Sequence, residues 1–498
     1  MNSDRLSAVT VIGVKPTDPR QKRGLQKFGV GLILLACCSL ASAQTWTALT
    51  FPFPGSAGTA VLQTDGTVMV QDSGTGSWLL LAPTLSGTYS GGTWLPVPIM
   101  KASNNPLYFG SAILPDDRMV VEGGEYQSGK NVDSVLGAIY DERLNAWGTI
   151  KPPSGWKHIG DSPSVVLPNG TFMLGSCCSA QEALLDAKTL TWTTTGTGKA
   201  DSNSEEGWTL LPTGKVLTVD TQNGTESELY DPATGAWSLA GKTPSFLGNN
   251  CNMNIVPEMG PAVLRPNGTV FQAGANNQTA IYTVSTGKWS KGPSFASGFG
   301  VADGPAALLP NGNVLVQASN IDPCFNPPSI FYVFNGSSLV VTAQPPNAPV
   351  DSSYTGRMLV LPTGGILFTD GTSDVEIYTA AGSPKSAWAP KITSAPTTVK
   401  RGSGYTVKGT QFNGLSQGAA YGDDAQMATN FPLVRIRNTA TGHEYYARTK
   451  SFSTMAVATG AATVSCVFIP PTSMETGPAT MVVVANGIKS NSVELTVE

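Results

Sequence analysis

Short apolar runs broken by tight turns recur along this chain, and their spacing predicts its architecture. Seven times an apolar run enters a turn and a second apolar run leaves it. The turns are Thr64-Asp65-Gly66, Pro115-Asp116-Asp117, Pro168-Asn169-Gly170, Pro212-Thr213-Gly214, Pro266-Asn267-Gly268, Pro310-Asn311-Gly312 and Pro362-Thr363-Gly364. Their last residues stand at 66, 117, 170, 214, 268, 312 and 364, so the unit repeats every 44 to 54 residues. Asn-Gly and Asp-Gly accept the positive φ angles of two-residue hairpin turns, and such turns are expected here. The flanking runs, Ser164-Val165-Val166-Leu167 and Phe172-Met173-Leu174 for example, are continuously apolar, as in strands buried on both faces. A third strand such as Glu228-Leu229-Tyr230-Asp231 follows, then a Thr-Gly turn and a fourth strand carrying Trp237. The same beat places Trp147, Trp192 and Trp289.

Four strands per unit of about 50 residues is the signature of a Kelch-type β-propeller blade. One blade cannot bury both of its faces, so blades stack radially and the tryptophans fill the wedges between them. Seven units predict seven blades, with Thr45-Trp46-Thr47-Ala48-Leu49 pairing into the last blade to close the ring. Near Pro390 the beat stops. Strands are expected at Val399 to Gly409, Leu433 to Arg437, Ala479 to Val484 and, alternating with period two, Ser492 to Val497. These fit an immunoglobulin-like sandwich. The predicted organisation is all-β: an export signal over 1–43, a seven-bladed Kelch propeller over 44–389 and an Ig-like β-sandwich over 390–498.

Composition agrees with many short strands, since 55 Gly and 36 Pro accompany only 13% charged residues. A net charge of −4, with no basic run beyond the N-terminus, argues against a nucleic-acid partner. Lys15, Arg20, Lys22, Arg23 and Lys27 precede an apolar run from Phe28 to Leu40, and Ala41-Ser42-Ala43 supplies the small residues of a cleavage site. The run is too short to span a bilayer. The mature chain is therefore expected to begin near Gln44, secreted or held in the periplasm or at the cell surface, without a membrane span and as a monomer. A lipobox-like Leu34-Leu35-Ala36-Cys37 keeps lipoprotein processing open. Cys177, Cys178, Cys251, Cys324 and Cys466 remain after cleavage. Sequence leaves their pairing open and weakly favours Cys251 with Cys324. Cys177-Cys178 lacks metal-ligand spacing, and burial at a strand end is expected of it.

The propeller plus sandwich resembles the galactose oxidase/glyoxal oxidase superfamily of secreted Kelch proteins. It is most similar to bacterial members carrying stretches like Asn413-Gly414-Leu415-Ser416, Tyr421-Gly422-Asp423-Asp424-Ala425-Gln426 and Asn430-Phe431-Pro432-Leu433-Val434-Arg435. The resemblance implies a copper radical site of two tyrosines and two histidines, one tyrosine cross-linked to a cysteine. Position by position, Tyr108 matches the cross-linked tyrosine, and Tyr354-Thr355 matches a Tyr-His pair with threonine for histidine. No cysteine stands near Thr59, and no histidine stands at Arg448-Thr449-Lys450-Ser451 or Val464-Ser465-Cys466. The chain holds two histidines, His158 and His443. Copper needs imidazole or thiolate donors, so no copper cofactor is expected, while oxygen donors would suit Ca²⁺.

Counting nine residues back from each turn gives Ala57, Tyr108, Asp161, Glu205, Met259, Asp303 and Thr355, with Glu206 and Glu258 one step away. A rim at the channel mouth formed by Tyr108, Asp161, Glu205, Asp303 and Tyr354 is the candidate ligand-binding site; no catalytic and no metal residue is assigned. Trp156, Trp208, Tyr126 and Phe109 could stack on a sugar ring or pack between blades. Asp423-Asp424 is expected to cap a loop between sandwich strands, and Asn169 and Asn267 to serve turns rather than glycans. The leading reading is a non-catalytic module binding carbohydrate or another cell-surface ligand at the propeller mouth. Alternatives are a galactose/glyoxal oxidase-like oxidoreductase, a carboxylate-dependent carbohydrate-active enzyme, and a structural envelope or matrix protein.

Overall fold

The computed structural model describes residues 44–498 apart from 102, 252–255 and 425. The export segment expected over 1–43, with Cys37 and Cys38, lies outside the described residues. Among the described residues there is no α-helix, only two short 3-10 turns at Ser353–Thr355 and Ser386–Trp388. No helix there is long and apolar enough to cross a membrane.

Seven antiparallel sheets follow one another along the chain, each built on four strands hydrogen-bonded in sequence order. The first comprises Ala57–Leu62, Val68–Asp72, Trp78–Ala82 and Thr93–Pro96. The seventh takes Arg357–Val360, Ile366–Thr369 and Val375–Thr379, and its fourth strand is Thr45–Ala48 from the other end of the described chain. Trp46 stands opposite Tyr378 in that pairing, as expected. The innermost strands are buried throughout, which accounts for their continuous apolar runs. Ala57–Leu62 packs against Arg357–Val360, so the first sheet meets the seventh and the ring closes as a β-propeller.

The fourth-strand tryptophans do more than fill wedges. Each indole N–H donates to the preceding sheet or its exit: Trp147 to the Pro98 carbonyl, Trp192 to Lys151, Trp237 to both carboxylate oxygens of Glu182, and Trp289 to the Ser227 hydroxyl. Trp94 and Trp46 repeat the arrangement at the carbonyls of Phe51 and Ala343. An amphipathic side chain thus packs its ring and pins its polar edge at the same seam.

All seven repeat turns join the first and second strands of a sheet. They are not two-residue turns, however. Gly66 N–H donates to the Gln63 carbonyl and Gln63 N–H to Thr67, enclosing three residues of which only the last has positive φ. The same holds at Asp117, Gly170, Gly214, Gly268, Gly312 and Gly364. This is a type I turn closed by a left-handed bulge residue. The middle Asx side chain accepts from the residue two ahead: Asn169 from Thr171, Asn267 from Thr269, Asp65 from Thr67. Turn chemistry therefore accounts for the Asn-Gly-Thr triplets.

Beyond residue 390 the strands form one continuous curled sheet. The expected strand Val399 to Gly409 is two, Thr398–Val399 and Tyr405–Thr410, because Gly402 turns with positive φ between them. Glu444–Lys450 makes the fold-over: its first half pairs with Leu433–Asn438 and its last three residues with Val464–Ile469. This unit lies on the propeller face that carries the repeat turns. Met455 N–H and the Thr454 hydroxyl donate to Pro168, Phe452 N–H to Pro115, and Arg448 to the Asp117 carboxylate. Cys251 and Cys324 are disulfide-bonded, Cys177 and Cys178 form a vicinal disulfide, and Cys466 is a buried thiol.

Carboxylates are buried inside the blades with unequal compensation. Glu206, which sequence placed near the rim, instead faces away from it. With Asp201 and Glu228 it surrounds the buried Lys199 ammonium at 3.1, 2.5 and 2.7 Å. Breaking a buried ion cluster from one side leaves unpaired charge, so Lys199→Met is expected to lower unfolding free energy by about 3–5 kcal/mol, read by denaturant titration. Glu182 makes no ion pair with Lys199, and burial outweighs its Trp237 bonds and the Lys199 charge to push its pKa up to about 8; burial likewise lifts Glu142 to about 9. Between their ordinary values near 4.5 and these raised values the folded chain holds more protons than the unfolded one. Stability must then fall as pH rises through that window. Thermal unfolding midpoints measured by calorimetry should drop between pH 5 and pH 8, and Glu182→Gln should flatten the decline.

Candidate functional site

Inner strands run from one face of the ring to the other, so their starts share one mouth and the repeat turns share the opposite face. The residues preceding successive inner strands should then converge, and they do. Tyr108, Asp161, Glu205, Asp303 and Tyr354, the five sequence candidates, line one cavity of about 820 Å³, together with Glu125, Tyr126, Glu258 and Phe325. Tyr108, Glu205 and Asp303 share a further feature: each has φ near +50°, at 54, 59 and 49°. Non-glycine residues avoid this region, and its recurrence at the same position of three sheets marks a backbone bent to aim side chains inward. The other positions of the series differ. Ala57 and Met259 are buried core residues, and Thr355 donates its hydroxyl to the Ser352 carbonyl.

The cavity floor comes from the far end of the chain. From the turn-bearing face a segment enters the channel. Gln417 accepts the Leu210 N–H at 2.7 Å, Gly418 accepts that of Leu308 at 2.7 Å, and Ala419–Ala420 adds a short strand beside Ala306–Ala307. Tyr421 follows, its hydroxyl donating to the Tyr354 carbonyl at 2.9 Å. A Cβ on Gly422 would stand 2.8 Å from the Asp303 carboxylate and 3.0 Å from the Met259 carbonyl, so only glycine passes. Asp423 and Asp424 emerge into the cavity, and Gln426 ties the turn by donating to the Asp423 carbonyl at 2.7 Å. The expectation that Asp423-Asp424 caps a loop between sandwich strands is corrected. These residues leave the C-terminal sheet and tip a plug through the propeller.

Arg357 holds this tip. Its guanidinium lies 3.7 Å from the Tyr421 ring and 5.3 Å from the Tyr108 ring, and it donates to the carbonyls of Tyr354 and Gly356. Burial opposes its charge, but Tyr421, Asp424, Tyr108 and Asp303 more than offset that cost and keep it protonated.

Carboxylates crowd the rest of the floor. One oxygen each from Asp161, Glu205 and Asp423 lie within 4.8 Å of one another, and so do oxygens from Glu205, Glu258 and Asp303. Burial first, then mutual repulsion, holds Asp161, Glu205, Asp303 and Asp423 well above the usual carboxylate range. Glu258 rises to about 7, burial outweighing its hydrogen bond with Glu205, and burial lifts Glu125 to about 7. Among the described residues Glu258 Oε2, Asp303 Oδ1 and Asp423 Oδ2 are buried without a hydrogen-bond partner. Carboxyl oxygens crowded in this partly buried cavity favour whatever brings positive charge or hydroxyl donors to them.

Other sequence candidates divide. Tyr126 lines the cavity with its ring 6.1 Å from Tyr108, whereas Phe109 and Trp208 are fully buried and Trp156 packs on the core. Cys177 and Cys178 lie beside Asp133 and the half-exposed His158, whose Nδ1 is 3.7 Å from Asp133. His443 pairs with Glu475 on the sandwich. Sequence reasoning missed Glu125, Phe325, Arg357, Tyr421 and the aspartates of the plug. Arg357 had a signal, since it is a lone charge heading the apolar inner run Arg357-Met358-Leu359-Val360. Phe325 follows the disulfide-bonded Cys324, and its ring sits 5.6 Å from Tyr354.

The residues do not fit copper. Tyr108 and Tyr354 both reach the cavity, but Thr355 stands where an imidazole is needed and the plug offers carboxylates. The Thr59 region has no cysteine, and no imidazole or thiol is among the lining residues.

No family model matches the sequence, and no curated protein matches it. Solved structures do resemble it in fold. A fungal alcohol oxidase of the AA5 family in complex with copper aligns at 14% identity over 91% of this chain and 99% of its own, with a TM-score of 0.52. A streptogramin B lyase aligns at 12% identity over 68% and 97% of the two chains, TM-score 0.45. An inactive virginiamycin B lyase from Staphylococcus aureus with quinupristin aligns at 8% identity over 68% and 99%, TM-score 0.48. At 14% identity the likeness to the oxidase is one of fold, a galactose oxidase-like β-propeller.

If Arg357 anchors the plug, Arg357→Gln should cost about 3 kcal/mol of stability. It should also raise amide hydrogen exchange over residues 417–424 more than in the outer strands of any blade, as read by mass spectrometry.

Proposed function

We propose that this chain is an exported binding protein: a seven-bladed Kelch-type propeller over 44–389, closed by its N-terminal strand, with an Ig-like domain over 390–498. It takes a polyhydroxylated ligand, a carbohydrate or a similar cell-surface group, at the propeller mouth. The signal-like segment over 1–43 supports export, and the seven four-stranded sheets support the blade count. The fold-over at Glu444–Lys450 supports the sandwich. A monomer suffices, because one chain supplies every cavity residue.

The observation that carries the functional reading is convergence. Residues from the starts of six inner strands and the tip of the plug meet in one cavity that joins aromatic faces to anionic oxygens. Tyr108, Tyr126, Phe325 and Tyr354 offer rings for the apolar face of a pyranose, and Asp161, Glu205, Glu258 and Asp303 accept its hydroxyl protons. The donor set argues against the oxidase alternative: the oxidase neighbour's metal is copper, whereas this cavity lacks copper's nitrogen and sulfur ligands.

A glycan array probed with the purified protein should show selective binding. Asp161→Asn and Asp303→Asn should each weaken the best ligand at least 10-fold while thermal stability holds or rises. Unchanged binding in both variants would remove the cavity from the argument. Stoichiometric copper with oxygen uptake on simple alcohols or aldehydes would replace the reading with an oxidase.

A further inference from the structure

We infer that the cavity floor is a Ca²⁺ site centred on Glu205, an inference that rests on the binding reading and names how the ligand is held. The two carboxylate triads are not separate. Glu205 belongs to both, grouped once with Asp161 and Asp423 and once with Glu258 and Asp303. Ca²⁺ takes oxygens at about 2.3–2.6 Å, so two ligands of one ion can lie up to about 5 Å apart. Separations within 4.8 Å meet that requirement without moving the backbone.

Crowding of acids alone would not make a site. The second observation is the orphaned oxygens. Glu258 is 4% exposed and Asp423 is 3% exposed. Both line the cavity, and among the described residues Glu258 Oε2 and Asp423 Oδ2 have no hydrogen-bond partner. Buried carboxylate oxygens are satisfied in nearly all folded proteins, by donors or by cations. The cation nearby is Arg357, whose charge partly offsets Asp303 while its guanidinium faces two tyrosine rings and donates to two carbonyls. Elsewhere in this molecule a buried trio of acids does have its cation. Asp201, Glu206 and Glu228 enclose Lys199. At the cavity floor no lysine is among the lining residues, and the inferred site draws its cation from solution.

Donor chemistry selects the ion. All the ligands are carboxylates, none is imidazole or thiolate, and the five come from five separate stretches of chain, four inner-strand starts and the plug. Such a set is hard, which disfavours transition metals, and its number of carboxylates suits the larger coordination number of Ca²⁺ better than that of Mg²⁺. An ion at Glu205 would face the open cavity and keep coordination positions for ligand hydroxyls. The plug aspartate would then be read out by the metal, coupling the C-terminal domain to the binding site.

The test is a Tb³⁺ titration of the purified, EGTA-treated protein, following luminescence sensitised by the nearby tyrosines. Saturable luminescence is expected, displaced by Ca²⁺ well below the concentration of Mg²⁺ needed. Ca²⁺ should also raise the thermal midpoint. Glu205→Gln, and separately the pair Glu258→Gln with Asp423→Asn, should weaken Tb³⁺ at least 10-fold. Asp220→Asn, beside the Lys199 cluster, should leave it unchanged. Circular dichroism guards against misfolding, which is not expected when like charges are neutralised. Absence of saturable binding at millimolar Ca²⁺, or unaltered affinity in folded Glu205→Gln, overturns the site. Glycan binding that survives EGTA overturns the cation's role while leaving the binding reading intact. Tight Ca²⁺ with a blank glycan array upholds the metal site and removes carbohydrate as its purpose.

Discussion

A segment of the C-terminal domain is threaded through the propeller, and the contact of Arg357 with Tyr421 and Tyr108 is what holds its tip in place. A ring of blades leaves an axial channel whose inner-strand edges carry unsatisfied backbone groups. The plug answers that need with Ala419–Ala420 pairing onto Ala306–Ala307 and with Gln417 and Gly418 accepting strand amides. Once backbone pairing fixes the register, Tyr421, Gly422 and Asp423 have no freedom about where they emerge. The Gly422 contact shows how tight the passage is. The cavity is therefore a joint product of the blades and the plug: the rim supplies five carboxylates and the plug adds Asp423 and Asp424.

Electrostatics makes this arrangement costly, which is informative. Like-charged groups in a dry cavity raise one another's pKa values, and their burial destabilises the fold at neutral pH. A chain with 13% charged residues has no surplus of acids to misplace. It nonetheless sets seven carboxylates around one opening and bends the backbone at two of them, Glu205 and Asp303, into a disfavoured region. Local violations of folding preference concentrate at functional positions, and here two kinds of violation coincide at the same residues, Glu205 and Asp303.

What sequence could reveal followed from periodicity. The turn beat located every inner strand, and counting back from each turn found Tyr108, Asp161, Glu205 and Asp303, because hairpin geometry ties a strand's start to its turn at fixed distance. The closing strand at Trp46 was legible for the same reason, as a fourth strand lacking its own sheet. Asp423 and Asp424 were not, because nothing periodic relates them to the blades. Their place depends on 400 residues of intervening fold. Glu206 was misplaced because two adjacent acids at a bend point in opposite directions, and only the buried Lys199 decides which one turns inward. The two-residue turns were misread because Asn-Gly suits both turn classes, and the side-chain bonds of Asn169 and Asn267 to the second residue ahead favour the three-residue one.

The same fold class can carry copper chemistry, and the contrast isolates what matters. Tyr108 and Tyr354, which the resemblance matches to copper-binding tyrosines, both line this cavity. The donors around them are of another kind. Thr355, where the resemblance implies an imidazole, turns its hydroxyl to its own backbone, and the plug brings carboxylates. Exchanging nitrogen for oxygen at these points changes the ion a site prefers and removes the basis for one-electron chemistry. Tyr108 reflects that change: burial lifts its hydroxyl pKa above the ordinary value, the Arg357 charge only partly opposing it, so it stays protonated as a stacking surface.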